Sequence, residues 1–322
     1  MQYISSLFKI FLIVIVVTSL SACANMPWSQ KKSDYDFFLE NKSGDKIEVP
    51  DNVKKANIKG GKEAIARANA AMQQNNLDGA LVYYVKALEY NEHNNVALNG
   101  IGHIHYLKGN IELAILAFRM VLTNDKDNLD AKQGLGLALI KANKYDEARF
   151  ILLNALKDNP QRVKIYNGLG VISDLQRYYG EARWFYANAL KIDPDNAIVL
   201  TNLGYSYYLE HQWDKAEIIY KRVIDKDPEH KQAWLNLALL QARQGEMFDS
   251  MSSFERVLNK AQSYNELGYI MMLDRKYTMA QQLFEKAISA SPSYFDEAYK
   301  NLDRLKELQQ KQEMNSNKVS LQ

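Results

Sequence analysis

The 322-residue chain is 47% hydrophobic and carries 40 basic against 38 acidic residues, a formal net charge of +2. That balance supplies no phosphate-tracking surface and argues against nucleic acid as a partner. A single cysteine excludes an internal disulfide framework and a cysteine-based zinc site, while the length suffices for one extended or two compact domains with a core.

In chain order, MQYISSLFK (1–9) is a short, weakly basic start. IFLIVIVVTSL (10–20) follows, and at ~1.5 Å per residue it reaches about half of a ~30 Å hydrocarbon core. That length suits the apolar region of a signal peptide and not a membrane span. Leu20, Ser21, Ala22 and Cys23 then resemble, position by position, the lipobox of a bacterial lipoprotein signal peptide. The resemblance implies cleavage before Cys23 and lipid on its thiol and amine. Two or more acyl chains hold a protein stably where one does so only marginally. Ala24 in place of aspartate implies, by the sorting rule of such lipoproteins, the periplasmic face of the outer membrane. The competing reading is a cysteine that merely follows a signal peptide or short membrane helix. Residues 24–60 are polar, lysine-rich and without sustained periodicity, so a flexible tether is expected from 23 to 60, spanning roughly 30–35 Å on average at ~5–6 Å × √n. YDFFLE (35–40) is its one apolar cluster and reads as weakly ordered.

From Gly61 a 34-residue period sets in. Ala80, Ala114, Ala148, Ala182 and Ala216 are 34 apart, Ser250 takes the next slot, and Ala280 follows after 30. Ala68, Gly102, Gly136, Gly170, Gly204, Ala238 and Gly268 keep step twelve residues earlier. Within one period, Leu200, Leu203, Gly204 and Tyr207 mark the face of a first helix, and Ala216, Tyr220, Val223 and Ile224 that of a second. Gly204 and Ala216 read as small where the two helices cross. Pro160, Pro194, Pro228 and Pro292 punctuate unit exits. Period and texture resemble the tetratricopeptide repeat. The resemblance implies an all-α superhelix (α-solenoid) of seven helix pairs, at 61–94, 95–128, 129–162, 163–196, 197–230, 231–260 and 261–294. The sixth unit is four residues short, which predicts a tight junction after it. Phe295, Ala298, Leu302, Leu305 and Leu308 form one stripe of a capping helix over 295–311, as a repeat stack needs at its end. Residues 312–322 read as a disordered tail.

No chemistry is legible. The five histidines lack metal-ligand spacing, and His103 and His105, two apart, face different directions on a helix. GGK (60–62) lacks the remainder of a phosphate loop, and no nucleophile has a base at a fixed spacing. The expectation is a non-enzyme without cofactor or metal.

In the resembled repeat family the first helices line a concave wall. Its inward slots here hold Asn99, His103, Tyr106, Leu137, Ile140, Asn167, Val171, Asp174, Asn202, Tyr205, Tyr208, Asn236, Leu239, Asn265, Tyr269 and Met272. Tyrosines among amides suit an amphipathic helix or extended peptide; the competing reading has several of these rings packing between units. Within the repeats, Tyr166, Leu169, Gly170, Val171 and Asp174, then Asn202, Leu203, Gly204 and Ser206, together with SYNELGYIMML (263–273), resemble the TadD family, lipoproteins of tight-adherence (Flp) pilus systems. That resemblance implies a protein partner such as the secretin or another pilus-assembly component. Rival readings are a type IV pilus pilotin, a scaffold for peptidoglycan-remodelling enzymes, and an enzyme that uses the repeats to recruit substrate, which leaves only 295–322 for a catalytic domain.

Overall fold

Each period of the sequence folds as two helices joined by a turn of two or three residues. The structure, a computed structural model, describes residues 35–40, 47 and 58–319, and among these the chain is all-helical with no strand. The expected signal peptide and Cys23 lie outside the described residues. The helices are α1 (Gly61–Gln73), α2 (Leu77–Tyr90), α3 (Asn95–Lys108), α4 (Ile111–Asn124), α5 (Leu129–Lys141), α6 (Tyr145–Asp158), α7 (Val163–Leu175), α8 (Tyr179–Ile192), α9 (Ala197–Leu209), α10 (Trp213–Lys226), α11 (Lys231–Gln244), α12 (Met247–Glu255), α13 (Lys260–Leu273), α14 (Tyr277–Ala290) and α15 (Asp296–Val319). Two compact units divide between Gly134 and Leu135, inside α5. In each, a helix packs on the one before and the one after it.

The turn inside each pair is the same device seven times. Asn75, Gly109, Asn143, Arg177, His211, Gly245 and Arg275 all have positive φ, between 56° and 88°. The N–H of the following residue then donates to a carbonyl five positions back, as in Asn76 to Ala71, Tyr178 to Ser173 and Lys276 to Met271 (2.8–2.9 Å). This ends the first helix by satisfying its orphan carbonyls. These residues recur every 34 positions and the last after 30, in step with the small-residue series. Only two of the seven are glycine, so five positions hold a conformation that disfavours a Cβ.

Packing explains the two small series. Ala80, Ala114, Ala148, Ala182, Ala216, Ser250 and Ala280 are all fully buried. Ser250 keeps the slot by donating its Oγ to the carbonyl of Ala238 (2.8 Å), so its hydroxyl is not orphaned. The glycines do something more specific than let helices cross. A Cβ at Gly102 would lie 2.7 Å from the Phe118 ring, and one at Gly136 2.3 Å from Leu152. At Gly170 it would meet Tyr186 at 2.4 Å, and at Gly204 Tyr220 at 2.5 Å. Each glycine is a seat for a large side chain sixteen residues later, on the second helix.

Two expectations change. The apolar cluster at 35–40 is not loosely ordered: Asp36–Leu39 forms a 3₁₀ turn against α2, with Phe38 fully buried. The helix expected to end at 311 continues as α15 to Val319. Its Ala298 and Leu305 are fully buried, and Leu302 and Leu308 pack on the terminal core. The short sixth period falls on α12, which has nine residues where its counterparts have 14, and Asn259 caps α13 with a reciprocal Asn–Gln capping box directly after.

Candidate partner-binding cleft

The residues expected along one wall do not share one fate. In the first unit, Asn99 is half-buried and donates to Asn128 (3.2 Å), Tyr106 is half-buried, and His103 is exposed. In the second unit, two amide pairs link alternate helices, Asn202 donating to Asn167 (2.8 Å) and Asn301 to Asn265 (3.0 Å), while Asn236 accepts from Gln232 one turn earlier on its own helix (2.9 Å). Leu137, Ile140, Leu239 and Tyr269 are half-buried; a Cβ at Gly168 would lie 3.4 Å from Leu137 and 3.6 Å from Ile140. Asn265 (1% exposed) and Met272 (2%) lie inside the terminal core. They are interior residues and not groove contacts, because α15 packs on α13.

Four of the expected residues converge. Val171 and Asp174 of α7 and Asn202 and Tyr205 of α9 line a cleft of about 360 Å³, completed by Leu175, Arg177, Tyr179, Tyr186 and Leu209. The first four occupy inward slots implied by the resembled repeat family. The other five sit on the left-handed turn, on the second helix and at helix ends, outside the slots considered. A positive φ at Arg177 is the signal they share with other periods, and no glycine announces it. Tyr205 is 38% exposed and stacks on Tyr208, ring centroids 5.6 Å apart. The Tyr208 hydroxyl accepts from Arg243 Nε (3.2 Å), and the Arg243 guanidinium also pairs with Asp274. Tyr208 is therefore a support and Tyr205 the free contact surface.

Asp174 is the electrostatic feature of the cleft. It is 8% exposed, accepts from the Tyr186 hydroxyl (2.9 Å) and from Ser206 Oγ (2.7 Å), and so joins α7, α8 and α9. Burial pushes its carboxyl up to about 6, only partly opposed by those two donors and by the Arg183 charge. Beside it, Arg149 of α6 donates to both oxygens of Glu181 (2.9 Å each), to Ser173 (3.2 Å) and to Gln176 (3.0 Å). That clamp holds the turn carrying Arg177 and borders a second, more polar depression lined by Asp146, Arg149, Gln176, Tyr178, Glu181 and Glu210 among others.

The Asp174 shift has a sign that can be measured. Folding raises this pKa above its ordinary ~3.9, so the stabilisation is complete below about pH 3.9 and is lost as pH rises through about 6. Between pH 4 and 7 the wild type is expected to lose on the order of 2 kcal/mol relative to Asp174→Asn, read by urea unfolding of both at each pH. Parallel pH profiles would remove Asp174 as the source.

A run of helix pairs, each closed by the same turn, with a tyrosine-walled cleft along α7–α9, defines an α-helical repeat scaffold suited to protein–protein contact. Tetratricopeptide-repeat profiles match residues 65–128 and 201–266, 106–169, and 261–294, together more than half of the chain. The chain belongs to the tetratricopeptide-repeat family. No curated protein matches it. Among solved structures, a tetratricopeptide repeat protein of Parabacteroides merdae is 18% identical with a TM-score of 0.59, over 76% of this chain and 98% of that one. PilF of Pseudomonas aeruginosa is 19% identical with a TM-score of 0.51, over 70% and 96%. TTC0263 of Thermus thermophilus is 16% identical with a TM-score of 0.50, over 56% and 98%. At these identities the likeness is one of fold.

Proposed function

We propose that the chain is a non-enzymatic scaffold, lipid-anchored through Cys23 at the periplasmic face of the outer membrane, that captures a segment of a Tad/Flp pilus-assembly component such as the secretin. One observation carries the reading. Val171, Asp174 and Asn202, three residues of the TadD-like pattern, line the same cleft, and a fourth, Ser206, bonds Asp174 beneath it. A pattern kept only for helix packing would not need a buried carboxylate at the edge of an open cleft. Tyr205 supplies apolar area with a polar tip, suited to an amphipathic or extended segment.

Replacing Cys23 by serine tests the anchor. The product is expected to fold as before, to leave the membrane fraction and to abolish surface pili; normal piliation with a soluble product would overturn the proposal. For the cleft, a photo-crosslinker at position 205 should capture the partner in cells. With the crosslinker moved to position 175, an exposed residue of the same lining, Tyr205→Ala should lower capture at least tenfold while shifting unfolding little, since the Tyr205 ring is 38% exposed. A large loss of stability instead would make Tyr205 a packing residue.

A further inference from the structure

The first unit carries a second peptide-like contact. Phe38 arrives from outside the repeats, yet it is fully buried, and its ring lies 5.8 Å from that of His105 on α3. Phe37 packs on Phe38 with centroids 4.3 Å apart. The Tyr35 hydroxyl donates to Glu92 (3.4 Å) in the turn after α2, and the 3₁₀ turn lies against α2 itself. His105 is also fully buried; its Nδ1 is 3.3 Å from the Asn110 amide, and its other polar neighbour is the backbone of Phe38. A buried imidazole whose second polar contact comes from outside the repeats is an unusual floor for a repeat core, where such groups are normally paired internally. It is an ordinary floor for a seat whose cover can leave.

We infer that α2 and His105 of α3 form a binding seat for a short segment with two adjacent aromatic residues, and that residues 35–40 are its intramolecular, releasable occupant. One fully buried ring and its partly buried neighbours stabilise the docked segment, while ordering six residues opposes it by a term of similar size. Covalent attachment tips that balance, because a tethered segment is present at an effective concentration near the millimolar range. A partner presenting a similar aromatic pair would displace it and occupy the seat. The inference is independent of the Asp174 cleft.

The test uses the full chain and a fluorescein-labelled peptide of residues 33–42, SDYDFFLENK. Phe38→Ala protein is expected to bind this peptide at least tenfold more tightly than wild type, whose seat is already filled. The same peptide with its own Phe38→Ala change should bind neither. His105 provides a second reading. Burial holds its imidazole down to about 4, opposed in part by a hydrogen bond with the Phe38 backbone and reinforced by the Lys108 charge. Other charges on the elements packed around it are Asp78, which pairs with Lys108, and Asp36 and Glu40 at the ends of the 3₁₀ turn. In Phe38→Ala the His105 ring resonance should titrate nearer its ordinary ~6.5 and return on adding the peptide. Equal binding by both proteins, no binding by the variant, or an unmoved His105 titration overturns the inference. So does loss of folding in Phe38→Ala, which would make the segment part of the core.

Discussion

Tyr186→Ala is expected to destabilise the second unit by about 4 kcal/mol, as truncation of a large buried ring does. Tyr186 is 1% exposed, sits in the space left by Gly170, and donates its hydroxyl to Asp174. The truncation opens a cavity and takes one of two donors from a buried carboxylate, and both effects have the same sign. Tyr186→Phe separates them. It keeps the packing and should cost about 1.5–3 kcal/mol, the range for a hydrogen bond to a charged group. Urea unfolding at pH 7 measures both variants. Near pH 4, where Asp174 is protonated, the cost of Tyr186→Phe should shrink, whereas that of Tyr186→Ala should remain mostly intact. Equal costs for the two variants at pH 7 would show that the ring contributes little beyond its hydroxyl.

Gly204→Val should cost about 3 kcal/mol, near the upper end for overpacking. The new Cβ would lie 2.5 Å from Cε1 of Tyr220, a ring that is fully buried. The contrasting change is Gly180→Ala. Gly180 is on α8 with nothing within 4 Å of its Cβ position, so the substitution should stabilise by up to about 0.5–1 kcal/mol through helix propensity. Chemical unfolding of the pair distinguishes the two roles of helical glycine. A neutral Gly204→Val would mean that α9 and α10 can move apart freely.

The repeat was legible because its small residues answer to a geometric necessity that recurs in every period. Gly204 and Ala216 are small for reasons the neighbouring periods share, so the 34-residue register stands out in one sequence. The turn was not legible. Its left-handed residue is Asn, Gly, Arg or His depending on the period, since a repeated hydrogen bond to the preceding helix tolerates the strain. Arg177, and with it half of the cleft, was missed for that reason. Asn265 and Met272 were misplaced for a different one. A slot rule assumes that the first helix faces open space, and here α15 lies over α13, with Asn301 bonded to Asn265. Phe38 was invisible because six residues are too few to show a period.

Docking of Phe38 sets the length of a leash. With an anchor at Cys23, the chain can extend at most about 50 Å to Phe38, at ~3.5 Å per residue, but about 130 Å to Gly61. Under the proposed anchoring, a folded body held by Phe38 would keep to the shorter reach, and once that ring lets go the same anchor would allow the longer one. Arrival of a competing aromatic pair would then be read out as altitude.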